Sequence, residues 1–182
     1  MRDKRHTLRE TRAYILDVRH RSRSTIQKYQ EGTILTAIGD MRFMLLEMIG
    51  KPGVKYTIGE SVNIEDSISS VMGRLNYDDL SHVATDEVPL AIQKIVETCE
   101  DRFVQYINNA VLVTARFHPL SVMPGVGRAT LKSILDRRDV KKFESYGDIA
   151  TNTRWQNPAE SIIQRISHEV MGQTSTYIFV RR

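Results

Sequence analysis

The residues whose types and spacing suit chemistry lie in one stretch, FHPLSVMPGVGRATLKSILDRR, residues 117–138. Pro124-Gly125-Val126-Gly127 separates two apolar segments. Glycines supply backbone conformations that other residues resist, so the chain can reverse within very few residues. With no side chains in the way, a phosphate oxygen can approach the backbone closely. A helix starting near Arg128 then offers that oxygen its unpaired N–H groups and the positive end of its dipole. Arg128 and Lys132, on the early outward turns, can add charge. The chemistry is anion binding of a kind that positions a strand and reads no sequence.

The pattern is that of a helix-hairpin-helix: a short helix ending near Val122–Met123, the turn, then a second helix with apolar residues at Leu131, Ile134 and Leu135. Val126 is expected to point inward and pack with Leu120, Val122, Leu131 and Ile134. The spacing and lysine of a Walker loop are absent, which argues against ATP binding. Ala129 stands where such hairpins often carry Lys or Arg, and Leu131 where a small residue is usual. The same fold element also serves as a packing unit or protein dock. Downstream, Phe143, Tyr146 and Ile149 can close the first unit. Ile162, Ile163 and Ile166 line an amphipathic helix whose first turn includes Pro158 and Glu160. Residues 140–171 are therefore read as a second, glycine-poor hairpin unit; an ordinary helix pair is the alternative.

Other reactive constellations are missing. The histidines, His6, His20, His82, His118 and His168, show no metal-ligand spacing and no pairing with Cys99, the single cysteine. No nucleophile or metalloprotease motif is present, so no catalytic residue, metal or cofactor is expected, and the chain is read as non-enzymatic. Cys99 lies in an apolar helical pattern and is expected to be a buried thiol. Trp155 and Tyr146 are candidates for base stacking, with a core position the stronger expectation for each.

Composition allows a polyanionic partner without demanding one: Lys and Arg total 26 against 22 Asp and Glu, a net charge of +4. The distribution says more. Residues 1–30 hold Arg2, Lys4, Arg5, Arg9, Arg12, Arg19, Arg21, Arg23 and Lys28 against Asp3, Glu10 and Asp17, a patch for phosphates or else a solvated terminus. Arg19, Arg21 and Arg23 are the candidates there. No secretory signal and no run long enough to span a membrane is visible, which gives a cytoplasmic expectation.

These residues need elements to position them. Residues 1–11 are a basic arm. Residues 12–76 hold about five short strands: RAYILDVR; the runs Thr33–Ile38 and Arg42–Ile49 about a hairpin at Gly39–Asp40; SVNIE; and SSVMGRLN. RHRSRST is a polar loop. An OB-like barrel fits, with an SH3-like barrel nearly as good, and Tyr14, Arg42 and Phe43 are candidates on its binding face. Residues 77–116 turn helical, with two or three connecting helices, N-cap candidates Asp79, Ser81 and Asp86, and Pro89 in a first helical turn. Residues 117–182 form the tandem hairpin domain, closing on the β-like STYIFVRR. The fold class is α+β: a small OB-like β-barrel followed by an all-α tandem helix-hairpin-helix domain.

The order of blocks resembles a mainly archaeal family without an established activity that pairs an OB-like half with tandem helix-hairpin-helix units. The likeness rests on YILDV, LLEMI, GRLNYDDLSHVATDEVP, DRFVQYINNA, TARFHPLSVMPGVG, FESYGDI and IFVR, spanning about residues 12–182. The resemblance implies nucleic-acid binding, and the company its genes keep, with transcription and ribosomal RNA modification, implies RNA before DNA. It places Gly125, Val126 and Gly127 in the hairpin; its second helix often opens with two basic residues, where this chain has Arg128 alone. The expected function is a non-catalytic protein that binds RNA, ribosomal RNA included. The alternative is an adaptor in a transcription or ribosome-assembly complex; a nuclease lacks the carboxylate or histidine cluster it would need.

Overall fold

The computed structural model describes residues 10–27 and 31–181. The basic residues of segment 1–9, and Lys28, lie outside them. The chain forms two compact units. One runs to Ala91 and resumes at Glu169; the other is Ile92–His168.

The first unit is built on a single antiparallel sheet. Its strands are β1 (Arg12–Arg23), β2 (Glu31–Gly39), β3 (Leu45–Gly50), β4 (Ser61–Asn63) and β5 (Ile68–Arg74), in the order β4-β1-β2-β3-β5. The sheet curls into a half-barrel. Register shifts at Ile15/Asp17, with Leu16 the extra residue of β1, and opposite Glu47/Met48, with Met72 the extra residue of β5, are the kind of irregularity that bends a strand and increases twist. No ladder joins β4 to β5 among the described residues. The short helix α1 (Ile64–Ser67) links those edges, its first turn capped by Asn63 Oδ1, which accepts the N–H groups of Glu65 and Asp66.

One buried cluster holds Ala13, Ile15, Leu35, Ala37, Met44, Leu46, Met48, Tyr56, Val62 and Ile68. The residues alternating with these, Tyr14, Leu16, Ile34 and Ile38, are buried as well. Both faces of β1 and β2 are therefore covered, and Tyr14 and Phe43 sit in the core at 7% and 2% exposure. Neither offers a ring to a base, contrary to the reading that placed them on a binding face.

Local departures from expectation have physical reasons. RHRSRST is not all loop: β1 continues to Arg23 because β2 supplies partners, Ser22 opposite Gly32 and Arg23 opposite Glu31. Pairing overrides the polar composition there. β2 and β3 are joined by a five-residue loop rather than a tight turn at Gly39–Asp40, since the first pair is Ile38 with Leu45. The described part of STYIFVRR, residues 175–181, forms no strand. The carboxylate of Glu169, 1% exposed, accepts the N–H groups of Ile178, Phe179 and Val180 at 3.0, 2.9 and 2.9 Å, doing the work of a strand partner. Glu10 does the same for the β2–β3 loop, taking N–H groups from Met41 and Arg42 at 2.8 Å each.

Helix α2 (His82–Thr98) begins at Ser81, whose Oγ accepts the Ala84 N–H at 3.2 Å. That cap leaves Pro89 in the helix interior rather than the first turn. α3 (Glu100–Asn109) follows, with Cys99 half-buried at the junction rather than fully enclosed. A 3-10 turn (Pro119–Val122), α4 (Arg128–Val140), α5 (Tyr146–Asn152) and α6 (Pro158–Val170) follow, and a further 3-10 turn, Tyr77–Asp79, precedes α2. Buried Asn108 clasps Phe143 from both sides, its Nδ2 donating to the Phe143 carbonyl at 2.8 Å and its Oδ1 accepting the Phe143 N–H at 2.9 Å. The compact units part inside α2 and α6, whereas the limits expected at 76/77 and 116/117 fall in links between elements. No helix of the described residues is long and apolar enough to cross a membrane.

Candidate nucleic-acid interface

The stretch leading into the turn is fixed by its own capping. His118 Nδ1 accepts the Leu120 N–H at 3.2 Å, Pro119 occupies the first position, and the His118 carbonyl accepts the Ser121 hydroxyl at 2.7 Å. The expected first helix is this 3-10 turn of four residues, too short to be an α-helix. Burial, then the positive charge of Arg138, push the His118 pKa below its ordinary value. A neutral ring fits its role, because Nδ1 must keep a lone pair to accept.

Met123-Pro124-Gly125-Val126 is a turn closed by the Val126 N–H on the Met123 carbonyl at 3.0 Å. Pro124 sits second and Gly125 third with φ +78°, the pattern of a type II turn, where a glycine is required. Val126 is buried, as expected, together with Leu120, Met123 and Ile134.

Gly127 is different. Its φ of −81° and ψ of −179° are open to any residue, and a Cβ built there meets nothing within 4 Å. The fold does not need this glycine; its effect is to leave space in front of α4. The first bond of α4 runs from the Leu131 N–H to the Gly127 carbonyl at 2.8 Å. The N–H groups of Arg128, Ala129 and Thr130 stand ahead of it without helical partners. Arg128 is exposed and makes no side-chain bond with the described residues. Lys132, one turn on, is exposed and paired with Asp136 at 2.7 Å. Such an exposed pair contributes little to stability. Gly125, Val126, Gly127, Arg128 and Lys132 are thus brought together as the spacing predicts.

Two of the basic candidates on β1, Arg19 and Arg23, are engaged within the protein. Arg19 Nη2 binds Glu47 Oε2 at 3.0 Å, and that carboxylate has no exposure. Burial works against the charge of Glu47, but hydrogen bonds from the Ser24 hydroxyl and from the Thr25 and Ile26 N–H groups outweigh it and hold its pKa below the ordinary value. Arg19 is part of that anchor. Arg23 is likewise engaged within the protein, and the Arg21 side chain lies outside the described atoms.

α5 and α6 are joined by residues 153–157, a link without glycine. Trp155 is 2% exposed and donates its indole N–H to Ser161 Oγ at 2.8 Å, which excludes it from stacking on a base. Tyr146 is tied to the Val96 carbonyl. Reading along the chain missed two supports of the hairpin. Ser161 Oγ lies 3.9 Å from the Cβ position of residue 125, and Arg165 reaches the Val122 carbonyl at 3.5 Å. Both come from α6, about forty residues downstream, and no local signal marks them.

An uncharacterized protein of Methanocaldococcus jannaschii, MJ0038, is 32% identical over 154 residues, covering 81% of this chain and 70% of that protein. The crystal structure of Af1531 from Archaeoglobus fulgidus, of the DUF655 family, matches with a TM-score of 0.78 and 29% identity over 94% of this chain and 100% of that one. With residues 9–181 matching the family described as "Protein of unknown function (DUF655)", the chain belongs to the DUF655 family.

Proposed function

We propose that this protein is a non-catalytic nucleic-acid-binding protein that grips a phosphate backbone through residues 123–130, with RNA the favoured ligand. The observation that carries the reading is the open space at Gly127, a position where the fold would accept a side chain, in front of three N–H groups that have no partner among the described residues and the exposed Arg128. In this reading the 3-10 turn, the Gly125 turn and α4 are a helix-hairpin-helix. α5, its link and α6 are the partner unit, with a link free of glycine, and the half-barrel is an OB-like module. RNA ranks before DNA on the family resemblance. Binding through phosphates should weaken steeply with salt. The test is a salt titration of labelled RNA against wild type and Gly127→Val, which should lose affinity while keeping its fold. Equal affinity of the two would remove the hairpin from the function.

A protein-adaptor reading has one observation in its favour: Val111, Leu112 and Val113 are consecutive and 68%, 61% and 66% exposed. A stoichiometric protein partner that survives nuclease treatment and is lost in a Val111→Ser/Leu112→Ser/Val113→Ser variant would favour it.

A further inference from the structure

The sheet unit carries a second place with the chemistry of a phosphate ligand. Two arginines far apart in sequence, Arg74 and Arg181, line one cleft beside the β2–β3 loop, which carries a third, Arg42. The Arg181 N–H donates to the Arg42 carbonyl at 3.2 Å, and Arg74, opposite Leu46 in the sheet, precedes Leu75, whose N–H donates to the Leu45 carbonyl at 2.9 Å. A cleft of about 370 Å³ opens there, lined by Phe43, Arg74, Tyr77, Asp78, Val180 and Arg181 among others. Arg42, Arg74 and Arg181 are exposed, and their guanidinium groups make no bond with the described residues. The acids beside them are mostly committed: Glu169, also in the wall, holds three backbone N–H groups, and Glu10 holds the loop. Asp78 is the exposed carboxylate.

The geometry points to a nucleotide-binding subsite in this cleft, taking a phosphorylated nucleoside either free or as one residue of a strand. Arg74 and Arg181 supply fork-shaped donors for the phosphate. Tyr77 offers a ring edge or face to a base, and Asp78 accepts from an exocyclic amine, which bare phosphate would not use. The inference extends the proposed nucleic-acid grip and rests on it for the strand source, but the two stand on different residues and can fail separately.

Amide resonances of the full chain are followed by NMR during titration with 5′-AMP, with adenosine, with inorganic phosphate and with a ten-nucleotide single-stranded RNA. Saturable shifts at Arg74, Tyr77 and Arg181 with AMP, stronger than with adenosine or phosphate, support the subsite with a free nucleotide. Shifts there with the RNA alone support it with a strand. No saturable shift at these residues with either, or phosphate acting as well as AMP, overturns it. In parallel, Arg74→Gln/Arg181→Gln should bind the RNA more weakly, with a log K against log salt slope shallower by about 0.7, the value for one neutralised phosphate on a single strand. An unchanged slope in that variant, with binding lost in Gly127→Val, refutes the strand as the ligand of this subsite and leaves the hairpin standing. The reverse pattern refutes the hairpin and leaves the subsite.

Discussion

Gly127→Asp should make the protein more stable and a poorer ligand binder at once. Gly127 is the N-cap of α4, with an extended backbone and nothing within 4 Å of its Cβ position, so aspartate fits without strain. Aspartate caps a helix better than glycine by a few tenths of a kcal/mol. Giving up glycine's freedom in the unfolded chain adds about 0.4–1 kcal/mol. The sum is about 1 kcal/mol, which for a chain of this size raises Tm by about 2–4 °C. Binding moves the other way. The new carboxylate takes the N–H groups that the proposed grip offers to phosphate, and it repels a nucleic-acid backbone. Losing one charge-assisted bond, worth about 1.5–3 kcal/mol, lowers affinity at least about tenfold. Thermal unfolding and fluorescence anisotropy with labelled RNA read both effects on one sample. A variant with raised Tm and undiminished affinity would refute the assignment of α4 as the grip. A lowered Tm would refute the claim that Gly127 is unneeded for folding.

Gly125→Ala should do the opposite to stability: with φ at +78° a Cβ is strained, costing about 1–2 kcal/mol, and Tm should fall by several degrees; an unchanged Tm would contradict the turn assignment. His118 makes stability depend on pH. Its folded pKa lies below the ordinary 6.5, so the unfolded chain takes up the proton first. Its contribution is complete above pH 6.5 and is lost as pH falls below it, and His118→Asn, which keeps an acceptor for the Leu120 N–H, should flatten urea-measured stability between pH 7 and pH 5. The same slope in both proteins would exclude His118 as its source. Trp155, the single tryptophan, should emit as a buried indole and shift to the red on unfolding, with no stacking quench when RNA is added; strong static quenching by RNA would show the ring on the ligand surface.

How much was legible in the sequence depended on whether a feature is local. The turn at Gly125, the start of α4 at Arg128 and the burial of Val126 follow from neighbouring residues, and all three are found. The five strands follow from period and turn residues. The loop expected in β1 fails because β2, many residues on, decides whether Ser22 and Arg23 are paired. STYIFVRR has strand composition, but Glu169 satisfies its N–H groups from outside the segment. Arg19 looks like a free cation along the chain and is an anchor once Glu47 is buried beside it. Tyr14 and Phe43 looked like surface rings because an alternating strand suggests one open face, whereas both faces are covered. Arg74 and Arg181 carry no local mark, since their meeting is a product of topology alone.

The most direct measurement is a binding panel of duplex DNA, single-stranded DNA, single-stranded RNA and a ribosomal RNA fragment, at low and high salt, with wild type and Gly127→Val. Salt-sensitive binding by wild type, strongest for an RNA and reduced at least about tenfold in the variant, is the expected result. Binding to none of the four, or equal binding by both proteins, would contradict the claim that the hairpin grips a nucleic-acid backbone.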